Sequence, residues 1–138
     1  MYPEELVAPM RNELTEIGFK ECNDGPAVDQ LFSDNQGTVL LVVNSVCGCA
    51  AGSARPGVKM AVEQSQKRPA QLATVFAGVD KEATDKAREY LAPYPPSSPS
   101  VGLFKDGQLV HMVERHHIEG NSPEAIGKHL AAVFDEFC

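Results

Sequence analysis

The chain has 138 residues, 43% hydrophobic and 22% charged, a globular mix for one domain that can bury a core without disulfide staples. Its net charge of -7, with no basic cluster, argues against nucleic acid or an anionic membrane surface as partner. No apolar run nears the roughly 20 residues of a membrane span, and Met1-Tyr2-Pro3-Glu4-Glu5 lacks a signal-peptide pattern, so a cytoplasmic location is expected.

Leu6, Met10, Leu14 and Ile17 recur at helical spacing and predict a helix over 3–17. Pro3 suits its first turn and Gly18 its stop, while Pro9 is expected to kink or divide it. A second short helix follows Asn23-Asp24-Gly25-Pro26, with Val28, Leu31 and Phe32 inward, and Ser33 to Gly37 reads as a polar turn. Residues 1–36 are taken as a helical N-terminal extension packed on a core of 37–138, the whole forming a single domain.

Thr38 to Val46 is apolar on both faces, as in a central strand of a covered sheet. The chain then turns through Cys47-Gly48-Cys49 into the small residues Ala50, Ala51, Ser53 and Ala54, which suit a helix start. That helix is expected to reach about Lys67, bend at Pro56, and turn Val58, Met60, Ala61 and Val62 inward. Gln71 to Val79 reads as the next buried strand, and Asp80 as the cap of a helix over Lys81 to Leu91. The Pro/Ser-rich run 93–99 leads into a strand over Ser100 to Lys105, an Asp106-Gly107 hairpin turn, and a strand over Gln108 to Glu114. The last helix starts at Asn121 or Ser122, with Pro123 in its first turn and Glu124 three residues after Asn121, as in a capping box. Ile126, Leu130, Val133, Phe134 and Phe137 form its buried stripe.

After the extension, the order is strand, helix, strand, helix, hairpin, helix. This α/β pattern implies a mixed four-stranded sheet flanked by helices, the layout of a thioredoxin-like domain. Two cysteines then sit where a buried strand hands over to a helix N-terminus, a position that favours the thiolate. Four cysteines in a chain this long, in a reducing compartment, point to redox or metal chemistry rather than a disulfide framework.

A thiol–disulfide centre needs a nucleophile of lowered pKa and a second thiol to resolve its mixed disulfide. Cys47, at the strand's edge, is read as the nucleophile and Cys49 as the resolving thiol. Residues two apart on a helix point to nearly opposite sides, so their direct bonding needs irregular backbone, which Gly48 permits. The C-x-C pair also admits other readings: a metal or cluster carrier, for which no further ligands stand at matching spacing, or a redox-sensing module without turnover. No bound metal or cofactor is expected. Pro99, entering a strand after Ser98, occupies the place where thioredoxin-like domains carry a cis proline beside the reactive thiol, leaving neighbouring backbone free for a substrate chain. His111, His116, His117 and His129 read as polar surface. Arg55 reads as an exposed helix charge or as support for a thiolate, Cys22 as a loop thiol without partner, and Cys138 as a buried or frayed thiol or a third redox thiol.

The motif N-S-V-C-G-C-A-A-G-S-A-R-P resembles that of the bacilliredoxin family. The likeness continues through V-A-P-M-R-N-E-L, V-F-A-G-V-D-K-E-A-T, P-P-S-S-P-S, R-H-H-I-E-G and F-D-E-F-C, and so spans nearly the whole chain. It implies a cytoplasmic oxidoreductase that removes bacillithiol from mixed disulfides on proteins. Cys47 would accept the bacillithiol, Cys49 or free bacillithiol would release it, and disulfide isomerisation is a further associated activity. Gly48, Ser98 and Pro99 would meet the substrate. The implied partners are proteins carrying mixed disulfides and a small thiol as co-substrate. Cys138 matches a family cysteine and Cys22 does not.

Overall fold

A computed structural model describes residues 2–34 and 36–138. Asn35, inside the expected Ser33–Gly37 turn, lies outside the described residues.

The sheet is built around β2, Thr38–Asn44, in which all seven residues are buried. Leu40 and Val42 join one core cluster, and Val39, Leu41 and Val43 the other, as the two-residue period of a strand requires when both faces are covered. β3 (Gln71–Phe76) lies parallel to it and β4 (Ser100–Lys105) antiparallel. β5 (Gln108–Val113) closes one edge through the Asp106–Gly107 turn, where φ is 51° and 83°, the backbone of a tight hairpin.

At the other edge β1, Lys20–Glu21, pairs in parallel with β3. The order is β1-β3-β2-β4-β5, five strands where the sequence pattern implied four. Residues 1–36 are therefore not purely helical. The added strand exists because the β3 edge offers N–H and C=O groups that need partners, and a two-residue strand is too short to show alternation.

Helices α1 (Glu4–Thr15), α3 (Arg55–Gln64) and α6 (Pro123–Phe137) cover the Leu40 face. Helices α2 (Gly25–Leu31) and α4 (Lys81–Leu91) cover the opposite face. α6 lies hard against α3, because glycines stand at the crossing: a Cβ on Gly57 would come within 2.7 Å of Ile126 Cγ2, and one on Gly127 within 3.0 Å of Met60 Cβ.

Local expectations fared unevenly. α1 passes through Pro9 undivided. Gly48 and Cys49 start a helix that widens into a π-helical turn over Ala50–Ala54, and Pro56 then stands in the first turn of α3. A proline ring crowds the carbonyl one turn before it, and a widened turn relieves that crowding where a bend was expected. Ser122, not Asn121, caps α6, its hydroxyl accepting the Ala125 N–H at 3.1 Å. Asp80 stands at the N-cap of α4 without a side-chain cap bond. Its carboxylate accepts instead from Arg11 Nη1 (2.8 Å) and Asn23 Nδ2 (3.3 Å). Arg11 also pairs with Glu4 and Glu21, so one buried guanidinium ties α1, β1 and α4 together.

Candidate active site

The site begins where β2 runs out. Asn44 and Ser45 are buried polar residues, and such groups need partners. Asn44 Oδ1 accepts the Ser45 N–H and an N–H of Arg55 Nη1, each at 2.9 Å, while its amide donates to the Met10 carbonyl at 3.3 Å. Arg55 Nη1 also donates to the Ser45 carbonyl at 2.8 Å. Its Nε lies 3.2 Å from Glu13 Oε1, an ion pair in which the N–H is not aimed at the oxygen. With only 2% of its side chain exposed, Arg55 is no surface charge. It clamps the backbone that leads into Cys47.

Cys47 is half-buried at the N-cap of the helix that Gly48 starts. Its carbonyl accepts the N–H groups of Ala50 (3.1 Å) and Ala51 (3.3 Å), and its own N–H donates to Ser45 Oγ at 3.1 Å. Burial pushes its thiol pKa up. Hydrogen bonds from the Cys49 thiol, the Ser45 hydroxyl and the Ala50 and Cys49 N–H groups outweigh that and leave it below the ordinary thiol value. Cys49, also half-buried, is pushed up, first by burial, then by its hydrogen bond to Cys47 and by the Cys47 charge, with Arg115 pulling the other way. The environment therefore moves the two thiols apart, favouring the thiolate at Cys47 and the thiol at Cys49.

Gly48 is exposed, its φ is not in the left-handed region, and a Cβ there would meet nothing within 4 Å. In this dithiol form it is an ordinary helical residue; the irregular backbone expected at Gly48 belongs to a direct Cys47–Cys49 bond, which this form does not contain. The space over it is open.

The Ser98–Pro99 peptide is cis, as the layout predicted, and so is Ala92–Pro93, which it did not. Val43 pairs with Ser100 across β2 and β4, so buried Pro99 lies alongside Asn44, next to the turn that carries Cys47. Arg115, at the start of a short helix α5 (Arg115–Ile118), joins these parts. Its Nη1 donates to the Ser98 carbonyl at 3.2 Å, its N–H to Ser97 Oγ at 3.4 Å, and its Nε pairs with Glu119. Its pKa is raised by Glu119 first, then by the charges of Cys49 and Cys47. Sequence reasoning missed Arg115. It lies in the R-H-H-I-E-G motif, where the histidines drew notice instead.

The other candidates fall elsewhere. Cys138 sits beside Thr38, Lys105 and Lys67, at the far end of β2. Seven residues at about 3.3 Å each put it about 20 Å from the Cys47 turn, so the structure does not bring it to the pair. Cys22 is fully buried in the α2–α4 core, its N–H bonded to the Thr74 carbonyl at 2.9 Å, and is not the polar-loop thiol expected. The histidines gather around a cleft of their own between β5, α5 and α6.

Comparison with known proteins agrees with this geometry. The sequence model of a family described as Disulphide isomerase matches residues 2–138. A bacilliredoxin of Cytophaga hutchinsonii is 62% identical over 136 residues, covering 99% of each chain. One of Halalkalibacterium halodurans is 53% identical over 137 residues, covering 99% of this chain and 94% of the relative. Among solved structures, Fasciola hepatica thioredoxin superposes with a TM-score of 0.59 at 15% identity, covering 87% of this chain and 100% of that one. Mitochondrial thioredoxin 3 of Saccharomyces cerevisiae gives 0.57 at 13% identity, covering 90% and 98%. These structures share the thioredoxin fold.

Proposed function

Because this chain belongs to the bacilliredoxin family, a family of thiol–disulfide oxidoreductases, we propose that it reduces mixed disulfides between proteins and a small thiol such as bacillithiol. Cys47 is the attacking group and Cys49 the resolving one. The observation that carries this reading is geometric: two free, half-buried thiols one residue apart stand at a helix start, with the cis Ser98–Pro99 peptide beside the turn that carries them. The opposite displacement of their pKa values, Cys47 down and Cys49 up, accords with it.

The Cys47 thiolate attacks the small thiol's sulfur in the client's mixed disulfide. A Cys47–sulfur bond forms, the client's S–S bond breaks, and the client leaves as its thiolate. The charge and hydrogen bond that Cys47 imposed on Cys49 disappear at that moment, whereas Arg115 stays. Cys49 therefore becomes more acidic only after the first transfer. It then attacks Cys47, releasing the small thiol and leaving a Cys47–Cys49 disulfide. The client has gained the electron pair that the cysteine pair has lost. A further small thiol can replace Cys49 in the second step, giving a small-thiol disulfide and the free Cys47 thiolate.

Ser98, Pro99 and Gly48 flank the attack path. The client backbone is expected to run beside Ser98–Pro99, and open Gly48 leaves room for it. Attack by Cys47 on one sulfur of a non-native protein disulfide frees the other as a thiolate. When a different client thiolate then attacks the Cys47-bound sulfur, a new client disulfide forms, the Cys47 thiolate leaves, and the net result is isomerisation. A cytoplasmic setting, where thiols are kept reduced, fits this chemistry, and among the described residues no helix is long and apolar enough to cross a membrane.

The test is intact-mass analysis after mixing reduced protein with a bacillithiol-modified client. Cys49→Ser should hold the bacillithiol adduct on Cys47, wild type should release it, and Cys47→Ser should take none. Transfer by Cys47→Ser would overturn the reading.

A further inference from the structure

All four histidines of the chain line one cleft of about 530 Å³, together with Met112, Asn121 and neighbouring residues. They come from β5 (His111), α5 (His116, His117) and α6 (His129), so their spacing along the chain carries no ligand signature. His111 Nε2 and His129 Nε2 face each other at 2.9 Å. Two nitrogens that face in this way share one proton at best.

We propose that this cleft binds a divalent transition metal of the imidazole-preferring kind, such as zinc, nickel or cobalt, anchored by His111 Nε2 and His129 Nε2. Nitrogens at about 2.0–2.1 Å from a tetrahedral ion stand about 3.3–3.4 Å apart, so the pair needs to open by only about half an ångström. The shared proton moves to Nδ1 of its own ring, the tautomer that frees both Nε2 lone pairs. Burial first, then His129 and His117, push the His111 pKa down, with Glu136 opposing, so His111 stands as the neutral imidazole that ligates. Water fills the rest of the coordination sphere from the open side of the cleft.

A second set, Glu114, His116 and His117, also has ligand atoms within 4.8 Å of one another. It is occupied by its own helix cap. The Glu114 N–H donates to His117 Nδ1 at 3.1 Å, and the Glu114 backbone carbonyl accepts the His117 N–H at 2.9 Å. Binding through His117 Nδ1 would take the acceptor of the Glu114 N–H at the start of α5, whereas binding at His111 and His129 breaks only their mutual contact. Hard oxygen-seeking ions such as Mg²⁺ have no suitable donors in the pair.

Cobalt(II) titration of the reduced full-length protein, followed by visible absorption, tests the site. The expected result is one Co²⁺ per chain with ligand-field bands, no thiolate charge-transfer band, and no competition from Mg²⁺. His111→Ala and His129→Gln should each weaken binding by about tenfold or more, and His116→Ala should leave it unchanged. His129 lies on an exposed helix face, so its variant stays informative even where His111→Ala fails to fold. Absence of binding by wild type, unchanged binding by His129→Gln, or a charge-transfer band lost in Cys47→Ser would each overturn the proposal.

Discussion

The two ends of β2 each hold a cysteine, and they differ in everything but the sulfur. At the start of the strand, Cys138 is exposed as a residue, yet partial burial of its sulfur raises its pKa against the pull of Thr38, Lys105 and Lys67. Beyond its end, Cys47 is less exposed, yet its pKa is lowered. The difference lies in directed donors. Cys138 has a single hydroxyl, that of Thr38, and lysines that act through water, where charges are screened. Around Cys47, the Cys49 thiol, the Ser45 hydroxyl and the N–H groups of Ala50 and Cys49 are held close by the fold and together favour the thiolate. Exposure makes a thiol reachable, and fixed donors make it a thiolate.

The largest expected effect separates the two ends outright. Cys47→Ser should lower small-thiol removal by at least about 10⁴-fold, the scale seen when an enzymatic nucleophile is removed. Cys138→Ser should change it within about twofold, the size of a surface substitution. Steady-state turnover with a bacillithiol-modified protein checks both, and equal losses would erase the contrast. Next comes stability. Arg55→Met leaves Asn44 and the Ser45 carbonyl without their buried partner and should cost about 3–5 kcal/mol in urea unfolding. Thr38→Val, at the other end, removes the hydroxyl that accepts the Ala70 N–H at 2.8 Å and should cost about 1 kcal/mol. An Arg55 variant no less stable than the Thr38 variant would show that the clamp on the Cys47 end is not structural.

These two ends were not equally legible in the sequence. The β2 run, the Asp106–Gly107 hairpin, and the Cys47–Cys49 junction are written in local pattern: a continuous apolar run, a turn dipeptide, small residues after a strand. The proline entering β4 follows from the order of elements. What stayed hidden depends on residues distant in the chain. β1 is a strand only because β3 has an edge to fill. Cys22 is buried only because α2 and α4 close over it. Arg55 is buried because α1 brings Glu13 and Met10 to the end of β2. Arg115 reaches Ser98 and the thiols only once α5 is folded back beside the proline loop. None of these leaves a period, and the motifs that contain Arg55 and Arg115 do not say what those side chains touch, since each contact depends on packing between elements.

A pH experiment sharpens the contrast further. Ser45→Ala removes one group that favours the Cys47 thiolate, so the pKa of Cys47 should rise and alkylation near neutral pH should slow severalfold. Iodoacetamide rates against pH, read by mass at Cys47, measure this, and the Cys138 profile should not move. The linkage has a definite sign. A thiol whose folded pKa is depressed, as at Cys47, stabilises the fold above its unfolded pKa and loses that contribution as pH falls through the folded value. Cys49, raised, does the reverse: its contribution is present below its unfolded pKa and is lost as pH rises through the folded one. Ser45→Ala should therefore reduce stability at alkaline pH more than at acidic pH.

The smallest effect concerns Gly48. In the dithiol form it is helical and its surroundings are open, so Gly48→Ala should stabilise the reduced protein by about 0.4–1 kcal/mol through the entropy of the unfolded chain. A Cys47–Cys49 bond spans a single residue and requires that residue to leave helical geometry, which alanine resists and glycine does not. The strain of the oxidised ring should then favour the dithiol over the disulfide in the variant. Equilibration with a glutathione redox buffer would read this as a higher, more oxidising potential. An unchanged potential in a variant that is more stable when reduced would mean that the ring closes with Gly48 still helical. The glycine would then serve only to keep the ground beside Cys47 clear.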